Sequence, residues 1–311
     1  METTTAGAPF AVLEECGALC ADRAGGPLAP SSNSVSERRR FPRAQFEVGA
    51  VRGDAVAVEP IEVICEHELV LTANGERLAT LLCSRASLAE LACGFLFSEG
   101  VVGSLADIVS LAISDDGDRA FATLRRCVET PLVPVITSGF GGTALVAPST
   151  APSFGSADAG APSLPSIAPA SGGRPFDAAA VRAAVTAMRV GAREYAATRG
   201  THCSALFDGD GAMVALFEDI GRHNTFDKLA GHCLLAGLDA RGMLLATTGR
   251  VSSEMMRKAA RLGVGAVASL SGPTDAAVRA ARTAGIMLAG YVSSSQLTLY
   301  AGSLSSTGDF S

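Results

Sequence analysis

The chain reads as a mixed α+β protein in two lobes, and three features of the sequence say so. Strand and helix patterns alternate through the second half, hairpin signals dominate the first, and a stretch rich in Ala, Pro, Ser and Gly divides them. The 311 residues carry 25 Lys plus Arg against 31 Asp plus Glu, a formal charge of −6, with 48% hydrophobic and 18% charged residues. That balance supplies a sizeable core and argues against a general nucleic-acid binder, which carries a basic patch or stripe. The longest apolar runs, such as 286–292, fall far short of the about 20 residues that span a bilayer. Glu14 and Glu15 interrupt the only apolar stretch near the start that a signal peptide could use. A soluble cytoplasmic protein with no membrane partner is expected. Its eight cysteines, at 16, 20, 65, 83, 93, 127, 203 and 233, form no C-x-x-C pair and are expected to be reduced.

Residues 1–42 read as a disordered extension ending in Arg38-Arg39-Arg40, a solvated tail or a dock for an anionic partner. The first lobe, 43–146, combines hairpins with one helix. Alternation over 55–64 predicts a strand, and Asn74-Gly75 between apolar runs predicts a hairpin turn. Ser87 is placed to cap a helix over about 88–98, with Leu88, Leu91, Phe95 and Ser98 along one face. A second hairpin pairs 108–113 with 120–124 around Asp115-Asp116-Gly117-Asp118. The stretch 147–175 follows, with 23 of its 29 residues Ala, Pro, Ser or Gly, too little apolar surface to offset its ordering entropy, so it reads as a linker.

The second lobe, 176–302, opens with a long helix capped by Asp177, reaching about residue 198 and closed by Gly200. Segments 202–207 and 212–217 flank the turn Asp208-Gly209-Asp210-Gly211 as a further hairpin. Helices over 225–236, 253–262 and 275–284 then precede strands over 243–248, 264–270 and 286–292, and 297–300 ends the series. Gly237, Gly263 and Gly285 stand where a helix closes through a left-handed residue. Such alternation predicts a largely parallel sheet. Residues 303–311 are a tail.

Ligands of open α/β sheets sit at the carboxyl ends of strands, where loops enter helix N-termini. Three such loops are polar. In Glu218–Lys228, Asn224 is a good N-cap and Asp227 complements the helix dipole, which capping alone explains. Capping does not explain Asp219, Gly221, Arg222 and His223 gathered ahead of it. Free backbone N–H groups beside Arg222, His223 and Lys228 suit a phosphate or pyrophosphate. In Thr247–Glu254 the chain turns at Gly249, Ser252 caps the next helix, and Arg250 suits a bidentate phosphate contact or a pair with Glu254. Ser269–Asp275 carries Pro273 near its helix start. A fourth loop, 136–144, holds Gly139, Gly141 and Gly142 after a strand-like run and would let backbone approach a ligand closely, or would merely lead into the linker. No phosphate loop, dinucleotide fingerprint or nucleophile elbow is present. The pairs His202-Cys203 and His232-Cys233 do not suggest a metal, because adjacent side chains diverge, to opposite faces where the chain is a strand.

Five ordered motifs then resemble one family: G-F-L-F-S-E-G (94–100), T-S-G-x-G-G (137–142), T-H-C-S-A-L-F (201–207), E-D-I-G-R-H-N-x-x-D-K (218–228) and T-G-R-x-S-S-E (248–254). The chain looks like an FdhD protein, a formate dehydrogenase accessory sulfurtransferase, over about 45–146 and 176–302. The resemblance implies a cytidine-deaminase-like three-layer core, without the deaminase zinc, beside a smaller β-rich lobe. It implies that sulfur is accepted from a cysteine desulfurase as a persulfide and passed to the molybdenum cofactor, bis-molybdopterin guanine dinucleotide, before that enters formate dehydrogenase. The cofactor would meet Gly139, Gly141, His202, Asp219, Gly221, Arg222, His223, Asn224, Lys228, Gly249, Arg250 and Ser252. The family's C-terminal binding stretch falls on Tyr291, Val292, Ser293, Ser294, Ser295 and Gln296, where the Arg common in the family is missing. The persulfide cysteine of the family, often C-x-x-C, is replaced by Phe140, with Thr143 at the second position. Phenylalanine forms no thiolate. Cys127 and Cys203 are the candidate substitutes, whereas Cys93 belongs to a helix face that packs in a core. Two readings follow, a sulfurtransferase-type maturation factor or a non-catalytic carrier of the cofactor. A deaminase-like hydrolase, which needs a metal, is a third. A homodimer is compatible with each.

Overall fold

The structure is a computed structural model that describes residues 41–126 and 176–305, together with the backbone of two short strands, Ala11–Leu13 and Val135–Thr137. In chain order the first half contains β1 (Ala11–Leu13), β2 (Arg43–Arg52), β3 (Ala55–Ile64), β4 (His67–Ala73), β5 (Glu76–Cys83), α1 (Leu88–Ser98), β6 (Ile108–Ile113), β7 (Arg119–Leu124) and β8 (Val135–Thr137). Strands β2 and β3 form an antiparallel ribbon of their own, and the others make a six-stranded sheet in the order β1-β6-β7-β4-β5-β8. Asn74 and Gly75 both take positive φ (51° and 87°), the backbone a two-residue hairpin with right-handed strand twist demands. Helix α1 spans the expected residues, but Ser87 does not cap it. Its φ of 55° is left-handed and its side chain makes no cap hydrogen bond.

The second half contains α2 (Ala178–Gly191), α3 (Arg193–Thr198), β9 (His202–Phe207), β10 (Met213–Asp219), α4 (Arg222–Ala236), β11 (Leu244–Thr247), α5 (Ser253–Leu262), β12 (Ala266–Ser269), α6 (Asp275–Ala284), β13 (Met287–Gly290) and β14 (Thr298–Ala301). Asp177 caps α2 as expected, its carboxylate accepting the N–H groups of Ala179 and Ala180. The single helix expected to residue 198 is two. It breaks at Ala192, because the carboxylate of Glu218 accepts Glu194 N–H (3.0 Å) and Tyr195 N–H (2.7 Å) and starts a new helix there. Arg199, with φ 57°, closes that helix in place of Gly200.

The sheet runs β10-β9-β11-β12-β13-β14. It is mixed where a largely parallel sheet was expected. Only β11, β12 and β13 are parallel, since only their connections pass through helices α5 and α6. Strand β9 arrives as half of a hairpin and β14 returns through a short loop, so both pair antiparallel. Helices cover both faces. Val181, Val185 and Met188 of α2 pack on Ala205, Ala246, Ala268 and Ala289. On the other face Phe226, Met255, Ala277 and Ala281 from α4, α5 and α6 meet Leu206, Leu245, Val267 and Leu288. Successive strand residues serve opposite cores, which is why these strands read as unbroken apolar runs.

Helix α1 lies on the first sheet and crosses α4 of the second at backbone contact. A Cβ on Gly94 would lie 1.7 Å from the Asp227 carbonyl oxygen, and one on Gly231 1.9 Å from that of Glu90. Sandwiched this way, α1 buries Leu88, Leu91, Phe95 and Ser98 as expected and also Ala92, Cys93 and Leu96. The crossing is clamped by charge: Lys258 on α5 donates to Asp227 (2.7 Å) and pairs with Glu99 (3.0 Å), and Arg257 donates to Glu99 (3.1 Å) and the Ser98 carbonyl (3.0 Å). Burial works against the Lys258 charge, but Asp227 and Glu99 outweigh it and raise its pKa. No helix among the described residues is long and apolar enough to cross a membrane.

Candidate functional site

Strand register gathers the polar loops on one sheet edge. Asp219 at the end of β10 faces His202 at the start of β9. Thr247 at the end of β11 pairs with Ser204 on one side and Ser269 at the end of β12 on the other. Beyond β13 the chain turns through residues 291–297 and returns as β14. Residues from five separate segments of the sequence therefore share one edge, as the loop positions imply for an open sheet.

Hydroxyl groups stitch the edge together. Thr248 Oγ1 accepts the Cys203 N–H (3.0 Å) and lies 3.3 Å from His202 Nδ1. Ser204 Oγ bridges Thr225 Oγ1 (2.7 Å) and Thr247 Oγ1 (2.9 Å), so β9, β11 and α4 are tied below the surface. Ser269 Oγ donates to the Gly249 carbonyl (2.7 Å) and Ser271 Oγ to that of Thr248 (3.1 Å), fixing the second loop on the third. Sequence reasoning missed these groups. The hydroxyl run Thr247-Thr248 facing Ser204 across neighbouring strands was the signal that could have found them.

Helix α4 begins at Arg222, three residues earlier than expected, with Gly221 as its N-cap and no side-chain cap. Asn224 is thus not the cap. Its Nδ2 donates instead to Asp219 Oδ1 (2.8 Å) and the Leu82 carbonyl (2.8 Å). Asp227, expected to serve the helix dipole, is taken up by Lys258. Lys228, expected beside the phosphates, has no exposed side-chain surface and donates to Asp219 Oδ2 at 2.5 Å. Asp219, Asn224 and Lys228 stand beneath the edge, on each other. At its surface stand Arg222 and exposed Arg250, close enough that burial first and Arg250 second depress the Arg222 pKa. Gly249 makes room for this. A Cβ there would lie 2.9 Å from Arg222 Cβ.

Both imidazoles of the edge are held neutral. His223 is pushed down to about 3 by burial, then by Lys258 and Arg222, and its Nε2 lies 3.5 Å from Ser252 Oγ and from Glu254 Oε2. His202 is lowered by burial and by Arg222. The positive charge of the edge therefore comes from Arg222 and Arg250, while the two histidines supply hydrogen bonds. Ser252 caps α5 as expected, accepting Met255 N–H at 3.3 Å. In the C-terminal stretch, Tyr291 takes φ 51°, is 54% exposed and lays its ring over Gly272. Val292 is buried with its N–H on the Ser269 carbonyl, and Ser293 Oγ accepts the Ser295 and Gln296 N–H groups in a tight turn that exposes Ser294, Ser295 and Gln296.

The candidate thiols fare differently. Cys203 points into the core with no exposure, and burial foremost, then Glu218, raises its pKa, so it is corrected from a candidate sulfur acceptor to a packing residue. Cys83 (raised to about 12), Cys93 and Cys233 are also buried. Cys65 is the one thiol among the described residues that is not. Cys127, Gly139, Phe140, Gly141 and Thr143 lie outside the described residues.

Fold and edge together define a mixed α+β protein whose polar loops converge at the strand ends of its second sheet. The chain belongs to the FdhD/NarQ family, whose model matches residues 64–305. It is 32% identical over 261 residues to the sulfur carrier protein FdhD of Geobacillus kaustophilus, covering 84% of this chain and 95% of that one. Against the protein of the same name from Anaeromyxobacter dehalogenans it is 34% identical over 265 residues, covering 81% and 88%. A crystal structure from Desulfotalea psychrophila, described as a proposed formate dehydrogenase accessory protein, shares the fold with a TM-score of 0.62 at 18% identity, over 83% of this chain and 96% of that one.

Proposed function

We propose that this chain is a sulfur-carrier accessory protein for formate dehydrogenase maturation. In this reading it takes sulfur from a cysteine desulfurase and delivers it to the bis-molybdopterin guanine dinucleotide cofactor, held as cargo at the edge of the second sheet. The observation that carries the reading is the meeting of Arg222, Arg250 and the uncapped start of α4 at one edge. Two guanidinium groups and a helix N-terminus are the donor chemistry a diphosphate needs. The names of the curated relatives support the same class.

A second reading, a carrier that has lost sulfur transfer, is favoured by Phe140 at the family's cysteine position and by the buried state of Cys83, Cys93, Cys203 and Cys233. Calorimetry with GDP and loading with labelled sulfur from a desulfurase separate the two. GDP binding together with protein-bound sulfur, lost on Cys127→Ala, is the expected result. Binding that survives replacement of every cysteine, with no labelled sulfur on the protein, would establish the carrier. No binding of GDP at all would refute both.

A further inference from the structure

We propose that Asp219 is a positioning residue whose carboxylate, held by Lys228, fixes the start of α4 against the end of β5 and so sets the shape of the phosphate-binding edge. This rests on the reading above that a guanine nucleotide binds there. Five donors converge on one side chain without solvent exposure. Oδ1 accepts the Gly221 N–H (2.9 Å) and Asn224 Nδ2 (2.8 Å), while Oδ2 accepts the Ser84 N–H (3.0 Å), Ser84 Oγ (2.9 Å) and Lys228 Nζ (2.5 Å). A carboxylate offers about four lone-pair sites, so this one is saturated and has nothing left for a ligand. Its part is to hold other groups in place.

What it holds comes from both sheets. Ser84 follows β5 of the first sheet and lies 135 residues from Asp219 in the chain. Asn224, anchored on the same carboxylate, also donates to the Leu82 carbonyl, so the residues on either side of Cys83 are both tied to the turn that opens α4. Lys228 closes the loop by donating to Ser84 Oγ (3.0 Å) and to the Glu218 carbonyl (3.2 Å). Strand β8 pairs with β5 in parallel, Thr137 opposite Leu81, so it ends beside this tie. On the α4 side, Arg222 and His223 follow Gly221 directly, and any movement of the turn carries both with it. A buried ion pair adds little stability over an apolar pair of the same shape. The value of this one lies in the distance it sets, and a misplacement of about 1 Å in a binding constellation is costly.

The test is the double variant Asp219→Asn with Lys228→Met, which removes both charges and so avoids stranding either in the core. Its amide keeps an acceptor for Gly221 but turns a donor on the Ser84 N–H. The expected result is a cooperative melt lowered by a few degrees, GDP affinity lowered at least about tenfold, and faster amide exchange at Ser84 and Gly221 together. Wild-type GDP affinity with unchanged exchange at both amides would overturn the proposal. Should the double variant not fold, Ser84→Ala decides. It keeps the backbone tie and loses the hydroxyl, and it is expected to weaken GDP binding by a few-fold at an unchanged melting temperature, while unchanged affinity and exchange would overturn the proposal. If the wild type binds no GDP, the functional reading fails on its own. The exchange measurement, which needs no ligand, then decides for or against the coupling of Ser84 and Gly221.

Discussion

Replacing Gly94 with Ala isolates what the α1–α4 crossing contributes. On a solvent-exposed helix the change would stabilise by about 1 kcal/mol, because Ala is the better helix former. Here the added methyl would sit 1.7 Å from the Asp227 carbonyl oxygen, 2.6 Å from its carbonyl carbon and 2.7 Å from the Gly231 nitrogen. Ordinary contact begins at 3.4 Å, so the helices must part by about 1.7 Å. All three neighbours are backbone, and no rotamer change relieves them. Parting the helices would open the packing of Phe95 and Leu96 and would pull Asp227 from Lys258. Overpacking in cores costs about 1–3 kcal/mol, and with no side chain able to yield the upper end applies. Set against the about 1 kcal/mol gained in helix propensity, the net loss is about 2 kcal/mol, a fall in melting temperature of roughly 3 °C for a 311-residue chain at about 2.1 cal/mol/K per residue. Urea unfolding at constant m-value and a thermal melt would measure it. A variant as stable as wild type, or more stable, would show that the helices are not in backbone contact and would refute the reasoning.

Three further outcomes follow from the same geometry. Lys258→Met leaves Asp227 without its partner in the core and should cost about 3–5 kcal/mol in urea unfolding, and a loss under about 1 kcal/mol would mean the clamp is not buried. The folded state holds His223 near a pKa of about 3, below its unfolded value of about 6.5, so from pH 6.5 downward the unfolded chain binds the extra proton and stability falls as pH falls. His223→Gln should therefore flatten the stability profile between those two values and leave it unchanged above about pH 7. An unaltered acid slope would sink this assignment. Cys203 should escape iodoacetamide at pH 8 in the native protein and be labelled after denaturation, as peptide mass spectrometry can read, whereas native labelling would restore it as a candidate sulfur acceptor.

Local signals were legible in the sequence and distant ones were not. The bounds of α1 and β3 followed from apolar spacing and from the turn residues beside them, since those forces act within a few positions. The break at Ala192 was hidden because its cause, Glu218, lies 24 residues further on from the amide of Glu194 that it caps. Asn224 looked like a cap because Asn is among the residues favoured at that position. The carboxylate that claims it, Asp219, moved the helix start back to Arg222 by holding the Gly221 N–H. The mixed sheet was missed for a related reason. Strand–helix alternation is visible along the chain, but whether β9 joins β11 parallel or antiparallel is a matter of tertiary pairing.

The edge motif Glu218–Lys228 divides by direction. Asp219, Asn224, Asp227 and Lys228 face inward, where they join α4 to β5 and to α5, while Arg222 stands at the edge and His223 bridges toward Ser252 and Glu254. A motif of this density would be read from sequence alone as a row of ligand contacts. In the fold most of its charge is neutralised internally, because a carboxylate or ammonium in the core persists only when paired. The positive charge at the surface of the edge narrows to Arg222 and Arg250, brought together from different motifs by strand register and by the absence of a side chain at Gly249. Substitutions at the inward residues should therefore act on the position of the edge, and substitutions at the two arginines on its charge. The salt dependence of GDP affinity tells these apart. Arg250→Ala should reduce that dependence, while the Asp219→Asn, Lys228→Met pair, net neutral in charge, should leave its slope intact and lower affinity alone.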